Sequence, residues 1–78
     1  MDDIRKYNEV FVVNLNITED KLPGLTYQSI PEWDSVGHMQ LMAAIEDAFD
    51  IMLDTEDIID FSSYDKGKEI LEKYDVRF

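Results

Sequence analysis

Asp34-Ser35-Val36-Gly37-His38-Met39-Gln40-Leu41-Met42-Ala43-Ala44-Ile45-Glu46-Asp47-Ala48-Phe49 follows the loop residues Pro31-Glu32-Trp33 and precedes Asp50. It reads as the helix on which the rest of the chain is assembled, running from Ser35 to about Phe49. An acid and a small hydroxyl residue placed directly after a proline-bearing loop supply the start signal. At about 100° per residue, Leu41, Ile45, Ala48, Phe49 and Met52 share one arc with Met42 at its edge, which makes that arc the expected core side. The opposite arc carries Val36, Gln40, Ala43 and Asp47, so two small apolar residues sit on a face that solvation alone would keep polar. Backbone N–H groups without intrahelical partners, together with the positive end of the helix dipole, favour an anion at this terminus. A phosphate ester on Ser35 is therefore expected to meet a preformed site. The plainer reading is that Asp34 or Ser35 is simply the N-cap.

Upstream, Ile4, Tyr7, Phe11 and Leu15 recur at three- and four-residue spacing, with Asp2 and Asp3 at the positive end, and predict a first helix from Asp3 to about Leu15. Val12 and Val13 lie off that stripe. Residues 16 to 33, punctuated by Pro23-Gly24 and Pro31, form a long connection in which Leu22, Leu25 and Ile30 are expected anchors against the bundle. Downstream, Asp54-Thr55-Glu56-Asp57 is an acidic start for a third helix of one or two turns, with Ile58, Ile59 and Phe61 as its apolar patch. Ser62-Ser63-Tyr64-Asp65 offers a cap with an acid three residues on, and Tyr64, Ile70, Leu71 and Tyr74 give a fourth helix its buried side despite Gly67. The expected fold is one all-α domain over residues 1–78, a small up-down bundle of three longer helices and one short one.

A chain of 78 residues buries only about 60% of its unfolded surface, which leaves little interior for an enzyme active site and favours a site on the surface. With 45% hydrophobic residues it can fold, so its net charge of −11 bears on partners rather than on disorder. Nucleic acid and anionic membrane are repelled, and basic protein patches are attracted. Residues 34 to 65 hold nine Asp or Glu and no Lys or Arg, while all seven bases lie elsewhere. That window is either a solvated acidic face or a docking surface. The absence of cysteine excludes a disulfide framework and a thiol nucleophile, so any thiol chemistry requires an added group. No apolar run is long enough to span a bilayer, and Met1-Asp2-Asp3 lacks a signal-peptide pattern, so a cytoplasmic protein is expected, and separately a monomer.

Other chemistries fit less well. His38 lies three residues past Ser35 on the same helix, and without an orienting partner it reads as a first-turn histidine packed beside Tyr or Met rather than half of a catalytic dyad. Asp54, Glu56, Asp57 and Asp60 are ligand types, but the calcium-loop pattern with its central glycine is missing, so no metal site is assigned. Met39, Met42 and Met52 read as core filler, with the alternative that soft methionines let a core open around a guest. Trp33 reads as an aromatic anchor at the end of the bundle.

The run Asp34-Ser35-Val36 leading into Leu41-Met42-Ala43-Ala44-Ile45-Glu46-Asp47-Ala48-Phe49-Asp50 and an acidic turn resembles the acyl carrier protein family. The resemblance covers nearly the whole chain and is most specific over residues 34 to 61. It implies that Ser35, with Asp34 as its motif neighbour, is the attachment point of covalent 4'-phosphopantetheine. It further implies a free-standing carrier that is not an enzyme: a substrate of phosphopantetheinyl transferase that presents acyl thioesters to acyl-loading and acyl-transfer enzymes with basic docking patches. These would serve a fatty acid, polyketide or related pathway and would read Val36, Gln40, Ala43 and Asp47. Val36 stands where the family usually has leucine, and Gly37-His38 replaces a commonly acidic or polar pair, which leaves partner identity open. The alternatives are an aminoacyl or peptidyl carrier, which generally has a less acidic surface, and an acidic helical adaptor in which Ser35 is unmodified.

Overall fold

The computed structural model describes residues 3 to 78; Met1 and Asp2, including the expected role of Asp2 at the first helix terminus, lie outside the described residues. The chain forms α1 (Asp3–Leu15), a 3-10 turn (Glu19–Lys21), α2 (Ser35–Phe49), α3 (Thr55–Asp60) and α4 (Tyr64–Glu72). Among the described residues there is no strand, and the architecture is the small all-α bundle that the pattern predicts. No helix among them is long and apolar enough to cross a membrane.

In α1 the buried residues are Tyr7, Val10, Phe11 and Leu15. Val12 and Val13 do not end the helix: Val12 is half-buried and Val13 faces solvent. The turn closes at Asn16, whose φ of 55° is left-handed, while the Ile17 N–H reaches back to the Val12 carbonyl at 3.2 Å. α2 stops by the same device. Asp50 takes φ 54°, and the Ile51 N–H donates to the Glu46 carbonyl at 3.0 Å. The Glu46 carboxylate then accepts the Leu53 N–H at 2.8 Å, which sets the direction of the exit.

The connection between α1 and α2 is stitched to the far end of the chain. Tyr27 N–H donates to the Ser62 carbonyl at 2.8 Å and Tyr64 N–H to the Leu25 carbonyl at 2.9 Å, around an antiparallel bridge of Thr26 with Ser63. Leu22 and Leu25 are buried as anchors, and Ile30 is half-buried. The cap of α4 is Ser63, which accepts the Lys66 N–H at 2.9 Å. This is one residue later than a Ser62–Asp65 pairing would place it.

The centre of the bundle is aromatic, with Tyr7, Phe11, Trp33 and Phe61 almost completely excluded from solvent. Gly67 faces this cluster, and a methyl group there would sit 2.2 Å from both Phe61 Cζ and the Tyr7 hydroxyl, so glycine is required by space. Burial, and after it the charges of Tyr64 and Asp65, push the Tyr7 hydroxyl far above its ordinary range. It stays protonated and donates to the Tyr64 carbonyl at 2.6 Å. Several expected core residues prove otherwise. Met42 is buried, but Met39 is 56% exposed and Met52 86% exposed, so neither is core filler. Ala48 and Phe49 are only half-buried, with the Lys6 ammonium 5.1 Å from the Phe49 ring centre. Ile59 is 73% exposed and leaves the patch that Phe61 and, in part, Ile58 supply.

Candidate functional site

The start of α2 separates two roles that its sequence left joined. Asp34 is the N-cap: in extended backbone, its carboxylate accepts the Gly37 N–H at 2.8 Å and its carbonyl accepts the His38 N–H at 2.7 Å. Ser35 is the first helical residue, exposed, with capping already done by its neighbour. Its hydroxyl is thus presented to solvent at the positive end of a 15-residue helix. The expectation of a vacant anion site needs correction, because the Asp34 carboxylate already holds the Gly37 N–H. The Ser35 and Val36 N–H groups, in the first turn, have no helical carbonyl to bond, and the exposed Asp34 carboxylate stands beside them as a negative charge.

Two close approaches fix this terminus. A methyl group on Gly37 would sit 2.1 Å from the Glu32 carbonyl oxygen, so the loop passes over the first turn at a distance only glycine permits. Trp33, fully buried, then packs against Phe11 with ring centres 5.5 Å apart and planes at 82°. Trp33 is therefore a central core residue rather than an anchor at one end.

His38 has a defined tautomer. The Trp33 indole N–H, which can only donate, points at His38 Nδ1 at 3.0 Å, so Nδ1 accepts. The proton is on Nε2, which donates to the Ile58 carbonyl of α3 at 2.8 Å. Tyr27 lies against the same imidazole with ring centres 5.2 Å apart. With both nitrogens engaged, His38 is a bridge between α2 and α3 and is in no position to activate Ser35.

Val36, Gln40, Ala43 and Asp47 are all exposed, Val36 at 65%. Met39 is exposed beside them and belongs to the same face, because three residues along a helix turns it only about 60° from Val36. The His38–Ile58 hydrogen bond sets α3 beside this stretch, which puts exposed Ile59 one residue from that contact. The surface is therefore more apolar than its acidity suggests.

The acidic window is only partly a free surface. Asp57 is buried, accepting from Lys73 Nζ at 2.6 Å and from the Tyr74 hydroxyl at 2.5 Å. These two hydrogen bonds, Lys73 first, hold its carboxyl below the usual carboxylate range. Asp57 is thus a tether between α3 and the segment after α4, and among the described residues no three Asp, Glu or His side chains are grouped to hold a metal ion. No protein-family model, curated protein or solved structure matches the chain.

Proposed function

We propose that this protein carries acyl groups on a 4'-phosphopantetheine arm attached to Ser35. The observation that carries the reading is the division of labour at the start of α2, where Asp34 caps the helix and Ser35 is left exposed with its hydroxyl unengaged by the cap. A transferase holding coenzyme A would set the Ser35 oxygen against the pantetheine-side phosphorus. The new O–P bond replaces the bond to adenosine bisphosphate, which departs, and the serine proton passes to a base of the transferase. When bound, the arm supplies a terminal thiol that forms thioesters. The carrier itself contributes position: a rigid helix start, a Ser35 oxygen in solvent, and two unpaired N–H groups beside it.

Partner enzymes would read Val36, Gln40, Ala43 and Asp47 together with Met39. Apolar contact in the middle and carboxylates around it suit a basic patch with its own apolar centre. Cytoplasmic residence belongs to the same proposal, supported by the fact that no helix among the described residues is long and apolar enough to cross a membrane. Intact mass after incubation with coenzyme A and a promiscuous phosphopantetheinyl transferase tests the reading. Wild type gains one arm, mapped by peptide mass to Ser35, and Ser35→Ala gains none while melting as wild type does, within about 0.5 kcal/mol. A wild type that stays unmodified leaves the acidic adaptor as the better account.

A further inference from the structure

An acyl chain on a mobile arm beside Ser35 can remain in water or enter the bundle, where removal of its methylenes from water is favourable. The interior between this end of α2 and α3 is occupied. His38 spans it by hydrogen bonding to the Ile58 carbonyl at 2.8 Å. Trp33 lies nearly parallel to the imidazole, with ring centres 6.2 Å apart and planes at 19°, and Phe61 stands 6.3 Å from it. Phe11 forms the next layer, 5.5 Å from Trp33 and 6.3 Å from Phe61. The layer after that has no slack either, since a single methyl on Gly67 would meet Phe61 Cζ at 2.2 Å.

Close-packed interiors yield space only when a whole side chain moves. Here the side chain in the way is an indole whose N–H is bonded to His38, and His38 is bonded in turn to α3. Admitting a guest would leave the Trp33 N–H, His38 Nδ1 and the Ile58 carbonyl without partners in an apolar setting, which is costly. We infer that an acyl group carried at Ser35 stays outside the bundle and that Trp33 and His38 exclude it. The cargo suited to this carrier is then a short or polar acyl group that tolerates water. The inference rests on the carrier reading above.

The test loads full-length protein from acetyl-, octanoyl- and dodecanoyl-coenzyme A with a promiscuous transferase, verifies each product by intact mass, and compares melting temperature and thioester cleavage by hydroxylamine. The three forms should melt within about 2 °C of one another and be cleaved at equal rates. A melting temperature that climbs with chain length, with dodecanoyl cleaved more slowly than acetyl, overturns the inference while leaving the carrier reading intact. Failure to take up any arm, seen directly in the mass, refutes both. In His38→Ala and Trp33→Phe, chain-length dependence should appear. If neither variant shows it, these two residues are not what excludes the chain; His38→Ala, at a half-buried position, gives this answer even where Trp33→Phe folds poorly.

Discussion

Replacing Gly37 with alanine sets two physical rules against each other at the residue that locks the start of α2. Helix propensity alone favours the change by up to about 1 kcal/mol. The added methyl, however, would stand 2.1 Å from the Glu32 carbonyl oxygen and 3.3 Å from Asp34 Oδ1. Because the first obstacle is backbone, relief requires the loop to retreat by roughly 1 Å, and Glu32 is bonded to buried Trp33. Overpacking of this kind costs about 1–3 kcal/mol, and disturbing the Asp34 cap adds about 1 kcal/mol. The net is a destabilisation of about 1–3 kcal/mol, or a fall in melting temperature of about 4–24 °C for a domain of this size. Thermal and urea melts followed by circular dichroism measure it, with Trp33 fluorescence shifting to the red as the indole loses its packing. Gly24→Ala provides the contrast: φ is +76° there and nothing lies within 4 Å, so its cost is backbone conformation alone, about 1–2 kcal/mol, with no change in Trp33 emission. A Gly37→Ala variant as stable as wild type, or more stable, would show that the loop does not cross the helix as described.

Asp47→Lys should leave the melt unchanged and raise the apparent KM of partner enzymes for the carrier at low salt, the effect shrinking as ionic strength rises; unfolding, or unchanged kinetics at low salt, would refute the docking face. Asp57→Asn should cost about 1–2 kcal/mol at neutral pH through its weakened bonds to Lys73 and Tyr74. Since the Asp57 carboxyl is held below its ordinary value near 3.9, that contribution is complete above about pH 4 and disappears as the pH falls through the lowered value. The gap between variant and wild-type melts should therefore be constant from neutral pH to about pH 5 and close in stronger acid, and a gap that persists there would contradict the assignment. Sodium chloride and magnesium should both raise the melting temperature, because the net charge is −11 and the ion pair of Asp57 with Lys73 is the single one among the described residues. A flat or falling response would mean that the acids are already compensated.

Local signals were legible wherever a residue's role depends on its immediate neighbours. The start of α2 follows from the acid and hydroxyl that succeed a proline-bearing loop, and the buried stripe of α1 follows from its spacing. Helical phase does not place Met52, because left-handed backbone at Asp50 ends the helix and resets every later direction. Ile59 turns outward, and a six-residue helix is too short for periodicity to fix which side faces inward. At the candidate site, the place of Ser35 at a helix start was legible, whereas the partners of His38 were not. One is the Trp33 indole across the helix start and the other a backbone carbonyl on α3, and no side-chain identity encodes the latter. Asp57 looked like any other member of an acidic run, and only the fold brings Lys73 and Tyr74 to it.

The pairing of Thr26 with Ser63 bears on how the molecule comes apart. The segment between α1 and α2 has little regular structure of its own, yet the Tyr27 and Tyr64 amides donate across to backbone from the other half of the chain. A loop fastened in this way does not open independently: releasing it frees the cap of α4 and withdraws Leu25 and Trp33 from the interior. Protection of those two amides against exchange with solvent deuterium should accordingly equal that of the α2 core amides and report global unfolding, while amides at the exposed 3-10 turn of the same loop exchange through local fraying. The stretch with the least secondary structure thus belongs, in energetic terms, to the same cooperative unit as the helices it joins.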